Sequence, residues 1–162
     1  METIYFSKVN PSAIIPSKNV EDAGYDIYAN FEDEEMIIGP HMTKMIPTGI
    51  ASACSSDYYF QLQERGSTGT KGIAQRCGVI DSGYRNEWFV PLTNTTDKVL
   101  CIAKGIDKFQ ERDDEILYPY SKAICQVVLL PVPKTMVITV DYNYLKTFSS
   151  ERGMNCLGSS NK

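Results

Sequence analysis

The sequence predicts a single all-β domain, built as a sandwich or a barrel. Its apolar runs are short, about ten along the chain, and Gly and Pro residues interrupt them frequently. No stretch carries the long apolar periodicity of an amphipathic helix. With 162 residues, the chain can bury one core but is too short for two ordinary domains.

Composition and charge exclude several classes of protein. The net charge is −4, with no basic stripe of the kind that a nucleic-acid surface needs. The sequence begins without a basic segment followed by an apolar one, and no apolar run is long enough to cross a membrane. We therefore expect a soluble, cytoplasmic protein that binds neither nucleic acid nor membrane. The five cysteines lack a CxxC pair and are expected to be reduced thiols: Cys54, Cys77, Cys101, Cys125 and Cys156.

The first part of the chain alternates short strands with turns. Gly24 allows a close turn, while Pro47 and Gly49 interrupt a longer apolar stretch. His41, the only histidine, lies in a turn, and we expect it on the surface because a metal cluster would need further ligands. The predicted strands cover residues 3–9, 26–29, 36–38, 43–53 and 58–63.

A loop at residues 64–72 has the composition of an anion-binding site. Small and hydroxyl residues with free backbone N–H groups lie between Arg65 and Lys71 and could cradle an anion, particularly if a short helix begins near Ser67. The loop is not a Walker A motif, because Gly72 follows the lysine where Ser or Thr would be needed. Taken alone, the same stretch is also typical of a flexible surface loop.

Residues 78–90 are predicted to form a β-hairpin, because two apolar runs flank a polar tip. Asp81 directly follows Val79 and Ile80, where the strand leaves the core. A partly desolvated carboxylate there could accept a proton from a water molecule. The alternative is that Asp81 only caps a turn on which Tyr84 packs.

The last part of the chain is predicted to hold three further strands and an arm. The strands cover residues 99–103, 121–130 and 136–140, and the charged stretch 104–120 between the first two is expected to be a solvated insertion loop. The domain is therefore expected to cover residues 1–148 and the arm residues 149–162. The arm carries hydroxyl, amide and guanidinium donors, which suit it to ordering over a phosphate ligand.

Five segments in this order resemble the five motifs of the trimeric dUTPases. The resemblance implies a distorted jelly-roll barrel of the dUTPase type, assembled as a homotrimer with a flexible C-terminal arm. It also implies hydrolysis of dUTP to dUMP and diphosphate, by Mg²⁺-assisted attack of water on the α-phosphorus. The segments are Asp22–Ala29, Glu64–Gly72, Gly78–Arg85, Ser121–Leu130 and the tail Glu151–Lys162.

The resemblance also implies a role for each site residue. Asp81 would be the catalytic base, while Asp26 and Gln126 would contact the metal ion through water. Tyr84 would pack under the deoxyribose, where a 2′-hydroxyl would collide, and backbone groups of the hairpin would read uracil. The substrate-binding set is Arg65, Gly66, Ser67, Gly78, Val79, Ile80, Tyr84, Phe89, Gln126, Arg152, Leu157, Gly158 and Ser159, with Gln75 a further candidate near the pyrimidine.

The sequence departs from the family pattern at three places. Gly66 occupies the position of the serine in the second motif, and Ser67 follows one residue later. Asn155 stands where a glycine is common. Leu157 stands where a phenylalanine usually stacks on the base, so contact between the arm and the base is expected to be weaker.

Two other functions are consistent with parts of the sequence. A dCTP deaminase would share the fold, but that family carries a glutamate on the strand after the hairpin, and Val90–Asn94 contains no acid. A regulatory binding protein would use the nucleotide as a switch and dock a partner through residues 104–120. This second role could coexist with catalysis.

Overall fold

The computed structural model describes residues 2–155 of the chain. They belong to two compact units, one ending at Val132 and the other beginning at Pro133. The compact unit that holds the sheets therefore ends earlier than residue 148, where the sequence predicts the end of the domain.

The described residues are almost entirely β-structure, which confirms the predicted class. No helix among them is long and apolar enough to span a membrane. Residues 2–155 contain two helices, α1 (Gly66–Gly69) and α2 (Tyr142–Leu145). The strands are β1 (Tyr5–Lys8), β2 (Tyr25–Ile27), β3 (Glu35–Ile38), β4 (Thr43–Pro47), β5 (Ile50–Ala53), β6 (Tyr58–Gln63), β7 (Ile73–Gln75), β8 (Val79–Ile80), β9 (Phe89–Asn94), β10 (Val99–Ala103), β11 (Gln110–Glu111), β12 (Glu115–Pro119) and β13 (Cys125–Pro131).

The strands of the first unit form four sheets. One sheet has the order β2-β13-β6-β8, and a second has the order β11-β12-β10-β3. A third sheet pairs β9 with β4 and β7, and β1 pairs with β5 in a two-stranded sheet. In the first sheet Gln126 lies opposite Asp26 on one side and Gln63 on the other. This register places polar residues from three strands side by side.

The main hydrophobic core lies between these sheets and includes Trp88. The Trp88 and Phe60 side chains are fully buried, with ring centroids 5.2 Å apart, and Phe6 packs against both rings. Burial of a large aromatic side chain contributes about 2 to 3 kcal/mol to folding. The Trp88 backbone is also fixed, because its N–H donates to the Ile50 carbonyl and its carbonyl accepts from the Thr48 hydroxyl.

Residues 78–90 do not form the predicted hairpin. Strand β8 pairs with β6, whereas β9 pairs with β4 and β7 in a different sheet. The connecting segment crosses between sheets, since Trp88 at its end is buried in the core and bonded to residues 48 and 50. The polar tip that suggested a hairpin is therefore a loop, with a turn in which the Tyr84 N–H donates to the Asp81 carbonyl at 3.0 Å.

The prediction that residues 104–120 are a solvated loop is wrong for their last part. Glu115–Pro119 forms strand β12, which runs parallel to β10 and buries Ile116, Leu117 and Tyr118. Because charged residues precede it, this short apolar segment was not predicted as a strand. The part before β12 is residues 104–114, which we call the excursion; it contains the short strand β11. Residues 73–77 also contain a strand, β7, that the sequence did not indicate.

The predicted strand at residues 136–140 is also wrong. This segment belongs to the second unit and has no regular secondary structure, and Met136 and Val137 are 84% and 90% exposed. A β-branched apolar segment becomes a strand only where another strand offers it hydrogen bonds. Helix α2 follows, with the Asp141 side chain accepting from the Asn143 N–H at 2.8 Å as an N-cap.

The cysteines in the described part of the chain are free thiols, as predicted. Burial raises the pKa of Cys125, and burial together with a hydrogen bond to Glu35 raises the pKa of Cys101 to about 12. Both thiols are therefore protonated at neutral pH and serve as small core residues. Cys156 lies outside the described residues.

Candidate active site

Asp26 and Arg65 form an ion pair at one end of the β2-β13-β6 sheet. Arg65 follows strand β6 by two residues, and its Nε lies 3.1 Å from Asp26 Oδ1. Its Nη2 donates to Asp26 Oδ2 at 3.4 Å, so both carboxylate oxygens are engaged. The paired groups are about two-thirds buried, and the carboxylate orients the guanidinium.

The remaining amino group of the Arg65 guanidinium, Nη1, is also hydrogen-bonded. Its Nη1 donates to the Ala123 carbonyl at 3.3 Å and lies 3.4 Å from Ser67 Oγ. Helix α1 begins at Gly66, one residue before Ser67. A Cβ added to Gly66 would meet no atom within 4 Å. The hydroxyl beside the arginine therefore belongs to Ser67, while Gly66 adds backbone alone.

Gln126 joins this group through a contact that explains Gly24. The Gln126 Nε2 donates to the Glu64 carbonyl at 2.9 Å. A Cβ on Gly24 would lie 2.6 Å from Gln126 Oε1, so only glycine leaves room for this side chain. The sequence predicted only a turn at Gly24, and no local signal there indicated the distant glutamine.

Tyr118 is a neighbour of the arginine that sequence reasoning missed. Its hydroxyl donates to the Ala123 carbonyl at 2.7 Å, the same oxygen that accepts from Arg65. Burial raises the pKa of Tyr118, and the Arg65 guanidinium opposes part of this rise. The phenol therefore stays neutral at pH 7 and supports the carbonyl to which the arginine is bonded.

Asp81 lies in a separate group of residues. It lines a cavity of about 180 Å³ together with Val79, Ile80, Tyr84, Phe89 and Met45. The Tyr84 hydroxyl donates to the Glu87 carbonyl at 3.0 Å, which fixes the ring beside the loop. Asp81 itself is exposed, so the partial desolvation predicted for it is absent from the single chain.

The backbone before Asp81 is tightly constrained. The Gly78 carbonyl accepts from the Leu62 N–H at 2.7 Å, and a Cβ on Gly78 would overlap the Gln61 side-chain amide. Cys77 has a φ of 60°, in the left-handed region. The Gln75 amide donates to the carbonyls of residues 76 and 77, so Gln75 supports this turn. Backbone that several contacts hold in an unusual conformation is common at ligand-binding sites.

The single chain does not bring Asp81 and Arg65 together. Ile80 lies opposite Phe60 on strand β6, and Arg65 is five residues further along the chain. Five residues of extended chain span about 16 Å. The cavity beside Arg65 and the cavity beside Asp81 share no lining residue.

The predicted arm residues are only partly covered by the structure. Arg152 is exposed and belongs to the second unit. Leu157, Gly158 and Ser159 lie outside the described residues.

The residues present fit a hydrated magnesium ion better than a metal held by protein alone. The described part of the chain holds no cluster of three or more His, Cys, Asp or Glu residues able to bind a metal. Magnesium in phosphate-binding sites usually keeps several waters and takes one or two carboxylates together with substrate oxygens. Asp26 and Gln126, opposite each other on neighbouring strands, supply a carboxylate and an amide oxygen of this kind.

Comparison with known proteins identifies similar sequences. A family model described as dUTPase matches residues 10–109. A deoxyuridine 5'-triphosphate nucleotidohydrolase of Picosynechococcus sp. is 30% identical over 157 residues, covering 94% of this chain and 94% of its own length.

Solved structures share the fold. A Staphylococcus bacteriophage 80alpha dUTPase with dUPNHPP has a TM-score of 0.73 at 22% identity and covers 99% of each chain. Phage dUTPases, of which the 80alpha protein is an example, are described as controlling transfer of virulence genes by a proto-oncogenic G protein-like mechanism. A mutant dUTPase from phage phi11 of S. aureus, described for its coordination of a structural Mg(II) ion, has a TM-score of 0.66 at 21% identity and covers 86% of this chain and 97% of its own.

Proposed function

The chain belongs to the dUTPase family, and we propose that it is a dUTP diphosphatase that converts dUTP and water into dUMP and diphosphate. Its fold is the jelly-roll type of the dUTPase structures. The observation that best supports the activity is the convergence of Asp26, Arg65 and Gln126 on one sheet end, from three separate parts of the sequence.

The Arg65 group is suited to holding a triphosphate. Its guanidinium is fixed by Asp26 and by the Ala123 carbonyl, so little side-chain entropy is lost when an anion binds. The Ser67 hydroxyl beside it can donate to a phosphate oxygen. Ser67 would thus take the role of the second-motif serine, whose position is occupied by Gly66. Asp26 and Gln126 would hold a hydrated Mg²⁺ that, when bound, offsets the charge of the phosphates.

The Asp81 group is suited to holding the nucleoside and activating water. Backbone groups of Gly78, Val79 and Ile80, with Phe89 at the other side of the cavity, would contact uracil. Asp81 would accept the proton of the water that attacks the α-phosphorus. Since the carboxylate is exposed in one chain, the bound substrate and neighbouring subunits would have to exclude bulk water from it.

The distance between the two groups supports a site shared between copies of the chain. Ile80 lies opposite Phe60, up to about 16 Å of extended chain before Arg65, and the cavities beside Asp81 and Arg65 share no lining residue. In a closed homotrimer, the Arg65 group of one subunit would face the Asp81 group of another. The arm, with Arg152, Leu157, Gly158 and Ser159, would cover the substrate.

A diphosphate-release assay with a panel of nucleotides tests the activity. We expect release from dUTP in the presence of Mg²⁺, much slower release from UTP, dCTP and dTTP, and loss of activity when EDTA removes the metal. Ammonia release from dCTP would instead indicate the deaminase. The absence of an acid in Val90–Asn94 argues against that alternative.

Replacing Tyr84 should weaken discrimination against the 2′-hydroxyl. In Tyr84→Ala we expect the ratio of kcat/KM for dUTP to that for UTP to fall by about 10-fold or more, because the ring that would collide with the hydroxyl is gone. Tyr84→Phe is the matched control, since it keeps the ring and loses only the hydrogen bond to the Glu87 carbonyl. An unchanged ratio in Tyr84→Ala would show that the ring does not pack under the sugar.

We also propose a cytoplasmic location and a regulatory protein partner. A docking surface at residues 104–120 is reduced to the excursion 104–114, because strand β12 is buried. Such a role is supported only by the exposure of this segment and by the description of the phage 80alpha relative. Loss of a partner on deleting the excursion, with dUTP hydrolysis retained, would separate the two roles.

A further inference from the structure

A basic cavity adjoins the Arg65 group on the side of the excursion. It has a volume of about 320 Å³, and its lining includes Arg65, Ser67, Lys71, Phe109 and Lys122. Three of the lining side chains are cationic and none is acidic. The Asp26 carboxylate offsets part of the arginine charge, so the excess positive charge of this cavity comes from the two lysines.

Lys71 is held at the cavity by two contacts. Its Nζ donates to the Ser67 carbonyl and lies 4.9 Å from the centroid of the Phe109 ring. Cation–π contacts of this kind hold a lysine without neutralising it. Phe109 belongs to the excursion, so that segment supplies the wall that orients Lys71.

Lys122 reaches the same cavity from a third part of the chain. Its N–H donates to the Pro119 carbonyl at 3.0 Å in the turn between β12 and β13, the strand that carries Gln126. None of the ion pairs in residues 2–155 involves Lys71 or Lys122. Unpaired ammonium groups beside one cavity repel each other, which favours an anion between them.

We propose that this cavity is a diphosphate subsite, in which Lys71 and Lys122 bind the terminal phosphates of the substrate and retain the diphosphate product until it leaves. The proposal rests on the proposed function, because Arg65 and Ser67 both line the cavity and contact the phosphates in that function. A condensed phosphate is the favoured ligand, since it concentrates several negative charges in a small volume and lysine binds phosphate as a point charge. The excursion contributes through Phe109, which positions Lys71.

Titration calorimetry with inorganic diphosphate in Mg²⁺-free buffer tests the subsite directly. We expect Lys122→Ala and Lys71→Ala each to raise the Kd by about 10-fold, the loss of one charge-assisted contact in a partly exposed site. The control is Lys108→Ala, which removes the same charge from an exposed position of the excursion that does not line the cavity. Lys122→Arg should retain most of the affinity. Thermal unfolding of each variant establishes that it is folded.

Product inhibition gives an independent measurement. In Lys122→Ala the inhibition constant for diphosphate should rise about 10-fold, whereas that for dUMP should stay within about 2-fold of wild type. Equal effects of Lys122→Ala and Lys108→Ala, or failure of the wild type to bind millimolar diphosphate, would overturn the subsite. Failure of the proposed function would give a different result. The wild-type protein would release no diphosphate from dUTP, yet its binding of diphosphate would still depend on Lys122.

Discussion

Asp81→Asn should lower kcat for dUTP by about 10²–10⁴-fold, the usual contribution of a general base. Asparagine has nearly the same shape as aspartate but cannot accept the proton of the attacking water. The substitution should leave the fold intact, because residue 81 takes part in its turn through its backbone carbonyl, which accepts a hydrogen bond from the Tyr84 N–H. Substrate affinity should change little, as measured by calorimetry with a non-hydrolysable dUTP analogue.

The matched control for this variant is Asp33→Asn. Asp33 is also exposed, lies just before strand β3 and lines neither the cavity beside Arg65 nor the one beside Asp81. Its substitution changes the net charge by the same amount. We expect its kcat to remain at the wild-type value. Turnover by Asp81→Asn within a few-fold of wild type would mean that another group accepts the proton.

Two separately inactive chains should restore activity when they assemble together. One chain carries Asp81→Asn and the other carries Arg65→Gln, which removes the cation that holds the phosphates. If each site takes Arg65 from one subunit and Asp81 from its neighbour in the ring, one of the three sites, about a third, is intact in every trimer that contains both chains. Mixed trimers are isolated with two different affinity tags, and activity per site is compared with that of wild type.

A second mixture separates this arrangement from a site within one chain. When the double variant Asp81→Asn/Arg65→Gln is mixed with an equal amount of wild type and the trimers are not fractionated, a shared site predicts about a quarter of wild-type activity, whereas a site within one chain predicts about half. For the two single variants, a site within one chain predicts only the background of each parent. Background activity in isolated mixed trimers would therefore contradict the shared site.

Much of the secondary structure could be predicted because its signals are local. Strands β6 and β10 occur at the predicted residues, since each is a short apolar run bounded by polar or turn-forming residues. Strand β12 was missed because its apolar part is short and follows a run of charges, and its burial depends on pairing with β10.

The identities of the site residues came from motif resemblance, and the structure adds how they are held. Asp26 and Arg65 are 39 residues apart in the sequence, and nothing local to either indicates that they form an ion pair. Gly24 looked like a turn residue, yet the space that it leaves is filled by Gln126. Tyr118 lies outside the five segments, and Lys122 lies in the fourth segment without a predicted role, so the proximity of both residues to Arg65 is known only from the structure.

The sequence by itself determined the all-β class, the family and the chemical types of residue at the site, because these depend on local periodicity and on short motifs. Only the tertiary structure decided which strands pair, that residues 78–90 cross between two sheets, and that Asp81 and Arg65 line separate cavities. The physical reason is that strand pairing and side-chain contact join residues distant in sequence. Their free energy depends on the whole core, here on the burial of Trp88 between the sheets.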